Sequence, residues 1–468
     1  MKKKKNKKFN IGILLLIVII IVGLLYFKNN KDYLLDKLSF IESNEKLEGE
    51  KIEGTVLFTE NDLIIVKDNK NIIYKFNVEQ NDLVAGDYVI LEYTGELDKN
   101  KDVQSVTIIK YEKENEETDE NGIPLNWLDN GIFSDYYMAA YSKLKELSLE
   151  EKIAQLLLVR YPKPEFVKDL KKYNFGGVIL FGEDFKGKTK AQVIDLIEKL
   201  QKDSKIPFLT AVDEEGGIVV RISNNPKLRK ERFKSPQELY KEGGFDLITR
   251  DTKEKSIFLS DLGINLNLAP VVDISINPND YIYSRTLGLD EKLTASYSKT
   301  VIQASKGLGV SYTLKHFPGY ASNSDTHTGS SIDNRTYEEI LNEILPFKEG
   351  INVGAEAVLI NHNIVKAIDS EKPASLSINI HNLLRDNLNF TGISITDDIS
   401  MDAVSNLENV ELYALLSGNN LIITSDYEKS FTQIKSAVTE GKISEKYIDE
   451  LVFKVLAWKY YKEIMHKN

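Results

Sequence analysis

The chain of 468 residues places its most reactive side chains directly after short apolar runs. Val212 leads into Asp213-Glu214-Glu215-Gly216-Gly217. Asp273 closes the run from Asn267. Lys315 and His316 open Lys-His-Phe-Pro-Gly319, Asn361 and His362 follow Ala357–Ile360, and Asp397-Asp398 follow Gly392–Thr396. Polar groups at such positions are costly unless they are used or paired. A carboxylate held at the end of a buried strand suits a nucleophile or an electrostatic stabiliser, and Asp397 is the candidate. Asp398 reads equally as a helix cap, and Glu214 and Glu215 as caps of a tight Gly-Gly turn.

The five histidines are His316, His327, His362, His381 and His466. Two of them lie in KHFPGYASNSDTHTG, where Asp325 and His327 stand two residues apart in a Gly-, Ser- and Asn-rich loop. A carboxylate at that spacing can orient the imidazole and raise its basicity, as a general acid and base requires. The plainer alternative for each His is a satisfied structural group. His316, Asp325 and His327 could instead hold a cation, but no recognised metal spacing such as His-Glu-x-x-His is present, so no metal is expected. With no cysteine in the chain, thiol catalysis, disulfides and Cys-ligated metals are excluded.

These groups need elements to position them. From residue 125 onward, strand-like runs alternate with amphipathic helical stretches. The runs are Gln155–Arg160, Gly176–Phe181, Pro207–Asp213, Ile264–Asp273, Tyr312–Phe317, Ala357–His362, Ile393–Asp397 and Asn420–Thr424. Ser148 with Glu151 forms a capping-box pair, and Thr189 precedes a helix with Val193, Ile194, Ile197 and Leu200 on one face. Ile448, Leu451, Val452 and Val455 repeat the helical period near the C-terminus. Eight strands alternating with helices predict an α/β fold of (β/α)8 TIM-barrel type over 125–468, with catalytic groups at the strand C-termini. The competitor, a doubly wound open sheet, lacks its Gly-rich loop after the first strand.

Upstream, residues 51–112 hold short β-like runs separated by turn residues and predict a small all-β, barrel-like domain, for which a spacer and, second, a weak binding module are the candidate roles. Residues 113–124 read as an acidic linker and 29–50 as a charged stalk. Ile11–Phe27 is 17 residues without a charge, preceded by six lysines. At a rise of ~1.5 Å per residue it reaches about 25 Å, near the short end of a bilayer span. The lysines predict a cytoplasmic start, so residues 1–28 form a single-pass membrane anchor with the catalytic domain outside the cell. No small-residue cleavage site follows the run, which argues against a removed signal peptide. Net charge is −11, and beyond those lysines the remainder sums to −17, a poor match for nucleic acid.

At these residues the sequence resembles glycoside hydrolase family 3, in particular the single-domain bacterial β-N-acetylhexosaminidases (β-N-acetylglucosaminidases). Six patches carry the resemblance in order: Gly176–Phe181; Val212–Gly217 with Arg221; Asn267–Asp273 with Ser284-Arg285; Lys315–Gly319 with Asp325-Thr326-His327; Pro373–Ser377; and Thr396–Met401. The resemblance implies Asp397 as nucleophile, His327 as general acid/base and Asp325 as its dyad partner. It implies Asp213, Arg221, Arg285, Lys315 and His316 as contacts to the sugar. The implied reaction is two-step retaining, exo-acting hydrolysis of N-acetylglucosamine-containing, peptidoglycan-derived glycans by a monomer without cofactor. A phosphorylase on the same site, or a non-catalytic surface sugar-binding protein, are the alternatives. The sequence departs from the family at Tyr320-Ala321, where His-Gly is usual, at Glu214, and at Ile218-Val219-Val220. These changes bear on loop closure and aglycone preference.

Overall fold

The computed structural model describes residues 49–79, 81–98, 103–161, 167–202, 204–320 and 331–466. By its internal contacts the chain divides into residues 1–50 and 51–468. The apolar run Ile11–Phe27 and the loop with Asp325 and His327 lie outside the described residues. Among the described residues no helix is long and apolar enough to cross a membrane.

The N-terminal part of the second unit is an all-β module. Its strands β1 (Glu50–Glu60), β2 (Leu63–Asp68), β3 (Ile73–Asn77), β4 (Tyr88–Thr94) and β5 (Thr107–Glu114) form one sheet in the order β3-β2-β1-β4-β5. Alternation sends Val56, Ile64, Val66, Tyr74, Phe76, Val89 and Leu91 into a core of the module's own. A second set, Leu57, Phe58, Ile65 and Ile73, joins the core of the following domain. Asn382 closes that contact: its Nδ2 donates to the Ile73 carbonyl at 2.7 Å, and its Oδ1 accepts from the Ile73 N–H at 3.0 Å. Lys67 and Glu450 form a buried ion pair across the same junction. The module is thus packed onto the next domain rather than tethered to it.

That domain is a parallel eight-stranded barrel. Its strands are β6 (Leu157–Arg160), β7 (Gly177–Leu180), β8 (Leu209–Val212), β9 (Leu266–Asn267) and β10 (Ser311–Phe317). After a short β11 (Ile332–Asp333) come β12 (Ala357–Ile360), then β13 (Ile364–Val365), β14 (Ile393–Thr396) and β15 (Ile422–Thr424). Barrel order runs β14-β12-β10-β9-β8-β7-β6-β15, and a parallel bridge between Ile395 and Leu421 joins the two ends. The short β11 and β13 pair with each other outside the ring. Barrel strands are buried on both faces, which is why they read as unbroken apolar runs. Helices return the chain between strands, among them Lys190–Lys202, Pro236–Ser260 and Glu291–Ser305. Capping boxes at Ser148/Glu151, Ser235/Glu238 and Thr336/Glu339 start three of the helices. The β module meets the end where β14 begins: a cavity of about 300 Å³ there is lined by Lys67 and Ile73 on one side and by Asn382, Arg385 and Gly392 on the other. Asp397 follows β14 at the opposite end.

Candidate active site

The strand ends converge as the barrel geometry requires. Asp213, Arg221, Arg285, Lys315, His316 and Asp397, the described residues predicted from the sequence, all line one cavity of about 390 Å³. Glu215, Arg160, Phe181 and Tyr320 line it too. Asp325 and His327 lie outside the described residues, but both flanks of their loop are fixed. Before it, the Tyr320 N–H donates to Asp273 Oδ1 at 2.8 Å. After it, Arg335 is paired with Asp333 and donates to the Gly319 carbonyl at 3.0 Å.

Glu214 and Glu215, neighbours in sequence, do different work. Glu214 is fully buried, and its Oε2 accepts the N–H groups of Arg221 and Ile222, each at 2.8 Å. It therefore shapes the loop that delivers Arg221, much as a capping carboxylate would. Glu215 instead forms a double hydrogen bond with Arg285, from Nε at 2.9 Å and from the terminal nitrogen at 2.7 Å. Lys315 Nζ stands 2.7 Å from the same carboxylate and 2.8 Å from Asp213. The capping expectation thus fails for Glu215: its partners lie far along the chain, Lys315 on β10 and Arg285 in the 3-10 turn Tyr283–Arg285, which the turn sequence cannot reveal. Burial alone would raise the Glu215 carboxyl, but Lys315 and Arg285 outweigh it and hold the group far below its usual range. Burial likewise works against charged Lys315, yet Asp213 and Glu215 keep its pKa raised. The turn after these acids needs glycine. Gly216 has φ of 107°, and a Cβ on it would stand 2.2 Å from the Lys234 carbonyl oxygen.

His316 follows Lys315 through a cis peptide bond. Its Nδ1 lies 2.7 Å from Asp273 Oδ2, and its backbone N–H donates to the same oxygen at 3.1 Å. A terminal nitrogen of Arg285 lies 3.3 Å from His316 Nε2. Arg221 reaches Asp213 at 3.7 Å, and its Nε is buried without a hydrogen-bond partner. The field of these cations and donors meets Asp397.

Asp397 sits one residue beyond β14, its N–H donating to the Ile360 carbonyl at 2.9 Å. The Asp398 N–H donates to Asp397 Oδ1, also at 2.9 Å. Burial opposes ionisation of Asp397, but His362, the Asp398 N–H and Lys315 overcome it and lower its pKa. Fully buried His362 is locked in place: its Nε2 donates to the Asp398 carbonyl at 3.1 Å and its Nδ1 lies 2.7 Å from Ser375 Oγ. Sequence reasoning noted Asp273 and His362 as strand-end polar groups but assigned neither, and it passed over Arg160. The signal for the first two was there: each closes an apolar run. Among the described residues no group of three or more His, Asp or Glu side chains is arranged to hold a metal ion.

An ionised carboxylate beside paired cations in a barrel mouth can act as a nucleophile or an electrostatic stabiliser toward a polar ligand. Residues 148–458 match the family model described as glycosyl hydrolase family 3 N terminal domain. A β-hexosaminidase of Xylella fastidiosa (strain M23) is 33% identical over 238 residues, covering 49% of this chain and 68% of that protein. Beta-hexosaminidase A of Pseudoalteromonas piscicida is 30% identical over 267 residues, or 53% of this chain and 44% of that one. A solved family 3 β-N-acetylglucosaminidase from Paenibacillus sp. str. FPU-7 superposes with a TM-score of 0.64 at 29% identity, over 68% of this chain and 63% of that one. The chain therefore spans under half of the Pseudoalteromonas protein and under two thirds of the Paenibacillus chain. With the family match covering most of the barrel, the chain belongs to glycosyl hydrolase family 3.

Proposed function

We propose that the protein is a retaining exo-β-N-acetylglucosaminidase acting on peptidoglycan-derived glycans. The observation that carries this reading is the placing of Asp397. Its carboxylate is held ionised at the end of β14, in the same cavity as Asp213, Arg221, Arg285, Lys315 and His316. Asp397 attacks the anomeric carbon as the bond to the leaving oxygen breaks, and His327 gives that oxygen a proton. His327, oriented by Asp325, then takes a proton from water. The water displaces Asp397 and frees the sugar with its configuration retained. A neutral imidazole base adds no second negative charge beside the glycosyl ester. The names of the relatives, β-hexosaminidases and a β-N-acetylglucosaminidase, support the sugar assignment.

The test is turnover of an aryl β-N-acetylglucosaminide. Asp397→Ala should abolish it, and added azide should restore product as a glycosyl azide of inverted configuration. Near wild-type turnover in Asp397→Ala would end the assignment. Running the wild type in phosphate separates hydrolysis from phosphorolysis: free sugar supports this reading, and sugar 1-phosphate replaces it. The run Ile11–Phe27 behind six lysines supports a further proposal, that the enzyme is held on the outer face of the cell membrane where wall glycans lie. Full-length protein should pellet with membranes, and removing residues 1–28 should release it.

A further inference from the structure

The cavity between the β module and the barrel holds more positive charge than its own acids neutralise. Four cations line it: Lys67 and Lys70, from β2 and the turn after it, and Arg385 and Lys454 from the barrel domain. Two carboxylates line it too, and each has a partner. Glu450 pairs with Lys67, and Asp129 lies 2.6 Å from Lys454 Nζ. His381 adds no charge, because burial pushes its pKa down to about 4. Asp68, beside the turn, accepts the N–H groups of Lys70 and Ile72, each at 2.8 Å. Arg385 gives its terminal N–H groups to neutral acceptors: the Phe390 and Gly392 carbonyls, both at 2.8 Å, Ser394 Oγ at 3.2 Å and Asn420 Oδ1 at 3.1 Å. Burial lowers its pKa only to about 10, so it stays charged at neutral pH. Among the described residues no carboxylate forms an ion pair with Arg385 or Lys70. The lining thus carries two positive charges in excess, in a chain whose net charge is −11. Ions withdrawn from water are ordinarily paired.

We propose that this cavity is a second ligand site, which binds a phosphate dianion, free or carried on a sugar, between the β module and the barrel. The charge excess matches a dianion, whereas a single carboxylate would leave one cation unbalanced. The volume of about 300 Å³ is at the small end of ligand pockets, enough for a phosphate with a compact organic group. Asn71, Asn389 and Thr391 line it with hydrogen-bonding side chains, and Leu128, Phe390 and Leu451 with apolar ones, the mixture that suits a hydroxylated ring. The site is separate from the catalytic mouth. Gly392 lines this cavity just before β14, and Asp397 stands just after it, so five residues at ~3.3 Å each set the two about 16 Å apart. Because Lys70 and Asn71 belong to the module and Arg385 and Asn389 to the barrel domain, a bound anion ties the two together.

The experiment titrates the full-length protein with inorganic phosphate, glucose 6-phosphate and glucose by calorimetry, and follows amide exchange with and without each. Both phosphates should bind and glucose should not, and binding should weaken with added salt. Equal affinities identify the free ion as the ligand, and tighter binding of glucose 6-phosphate identifies a phosphosugar. Exchange should slow in β3 and over residues 385–392 and stay unchanged over 213–217 at the catalytic mouth. Arg385→Gln should abolish binding. Lys70→Gln, at an exposed turn position where folding is not at risk, should weaken it about tenfold, the worth of one charged hydrogen bond. Turnover of an aryl β-N-acetylglucosaminide should be the same in Lys70→Gln as in the wild type. No binding of either phosphate at about 10 mM, affinity unchanged in Lys70→Gln, or protection at 213–217 in place of β3 overturns the site.

Discussion

Replacing Glu215 by Gln tests the ion cluster that holds the cations of the cavity. Glu215 is 6% exposed and receives charged hydrogen bonds from Arg285 at 2.9 and 2.7 Å and from Lys315 at 2.7 Å. Gln keeps the shape but turns an amide N–H₂ toward one of these donors. Breaking a buried ion pair from one side costs about 3–5 kcal/mol, because the partner charge stays buried. Lys315 retains Asp213, so the lower end, about 3 kcal/mol, is the appropriate figure. With an unfolding entropy of ~2.1 cal/mol/K per residue, a unit of this size should lose about 3–4 °C in Tm. The pH profile gives a second, sharper readout. Burial would raise the Glu215 carboxyl, but Lys315 and Arg285 hold it well below the ordinary carboxylate range. A carboxylate depressed in the folded state stabilises above its unfolded pKa and loses that stabilisation as pH falls toward the folded value. The Tm gap between wild type and Glu215→Gln should therefore be flat above about pH 5 and narrow below about 4.5. Calorimetry across pH 3–8 would measure it. A gap that persists unchanged at pH 3, or a variant as stable as wild type at pH 7, would refute the claim that this cluster is net stabilising.

Three further perturbations address other links. Asp273 is fully buried and accepts from His316 Nδ1 and N–H and from the Tyr320 N–H, so Asp273→Asn should lower kcat/KM by about tenfold to a hundredfold, the equivalent of ~1.5–3 kcal/mol in charged hydrogen bonds. Steady-state kinetics would check this, and unchanged kcat/KM would show that His316 needs no such support. Asn382→Ala strips both partners from the buried Ile73 backbone at about 1–3 kcal/mol per group, so amide exchange in β3 should accelerate while exchange in β10 stays slow. Lys459, wholly buried with its Nζ donating to Gln155 Oε1 at 2.6 Å, has its pKa pushed down to about 7 by burial. Between that value and the 10.5 of an ordinary lysine, the unfolded chain binds the extra proton. Stability should thus rise with pH over that window, and Lys459→Met should flatten the rise in urea titrations at pH 7 and pH 10.

The barrel was legible because its strands advertise burial on both faces. Ala357–Ile360 and Ile393–Thr396 begin where the expected runs Ala357–His362 and Ile393–Asp397 begin and end two residues and one residue earlier. The run Ile264–Asp273 was read too long. Its ladder is Leu266–Asn267, since Pro270 has no N–H to donate, although Val272 resumes contact by donating to the Lys315 carbonyl at 2.8 Å. The last strand of the β module, Thr107–Glu114, runs on into the residues 113–124 expected as a linker. There the sequence misled for a physical reason: β5 is mostly exposed and is held by backbone pairing to β4, so Glu112–Glu114 carries linker composition while pairing opposite Tyr88–Ile90. In the site, single strand ends could be read, but pairings between them could not. Glu215 lies 70 residues from Arg285, and nothing local distinguishes it from Glu214, whose partners are seven to nine residues away.

The pairings also explain how so many acids can share one cavity. Asp213, Glu215 and Asp398 line the cavity with Asp397, Asp273 stands behind His316, and an unpaired negative charge beside Asp397 would push its proton on rather than off. Each is occupied elsewhere. Lys315 and Arg285 take the first two, and His316 with the Tyr320 N–H takes Asp273. Asp398 accepts from Ser425 Oγ at 2.6 Å and from the Ser400 N–H at 2.9 Å, while giving its own N–H to Asp397. The cations that would hold a sugar therefore also silence the acids around Asp397. Binding groups and an ionised Asp397 are consequences of the same charge arrangement, so altering one cation changes affinity and reactivity together.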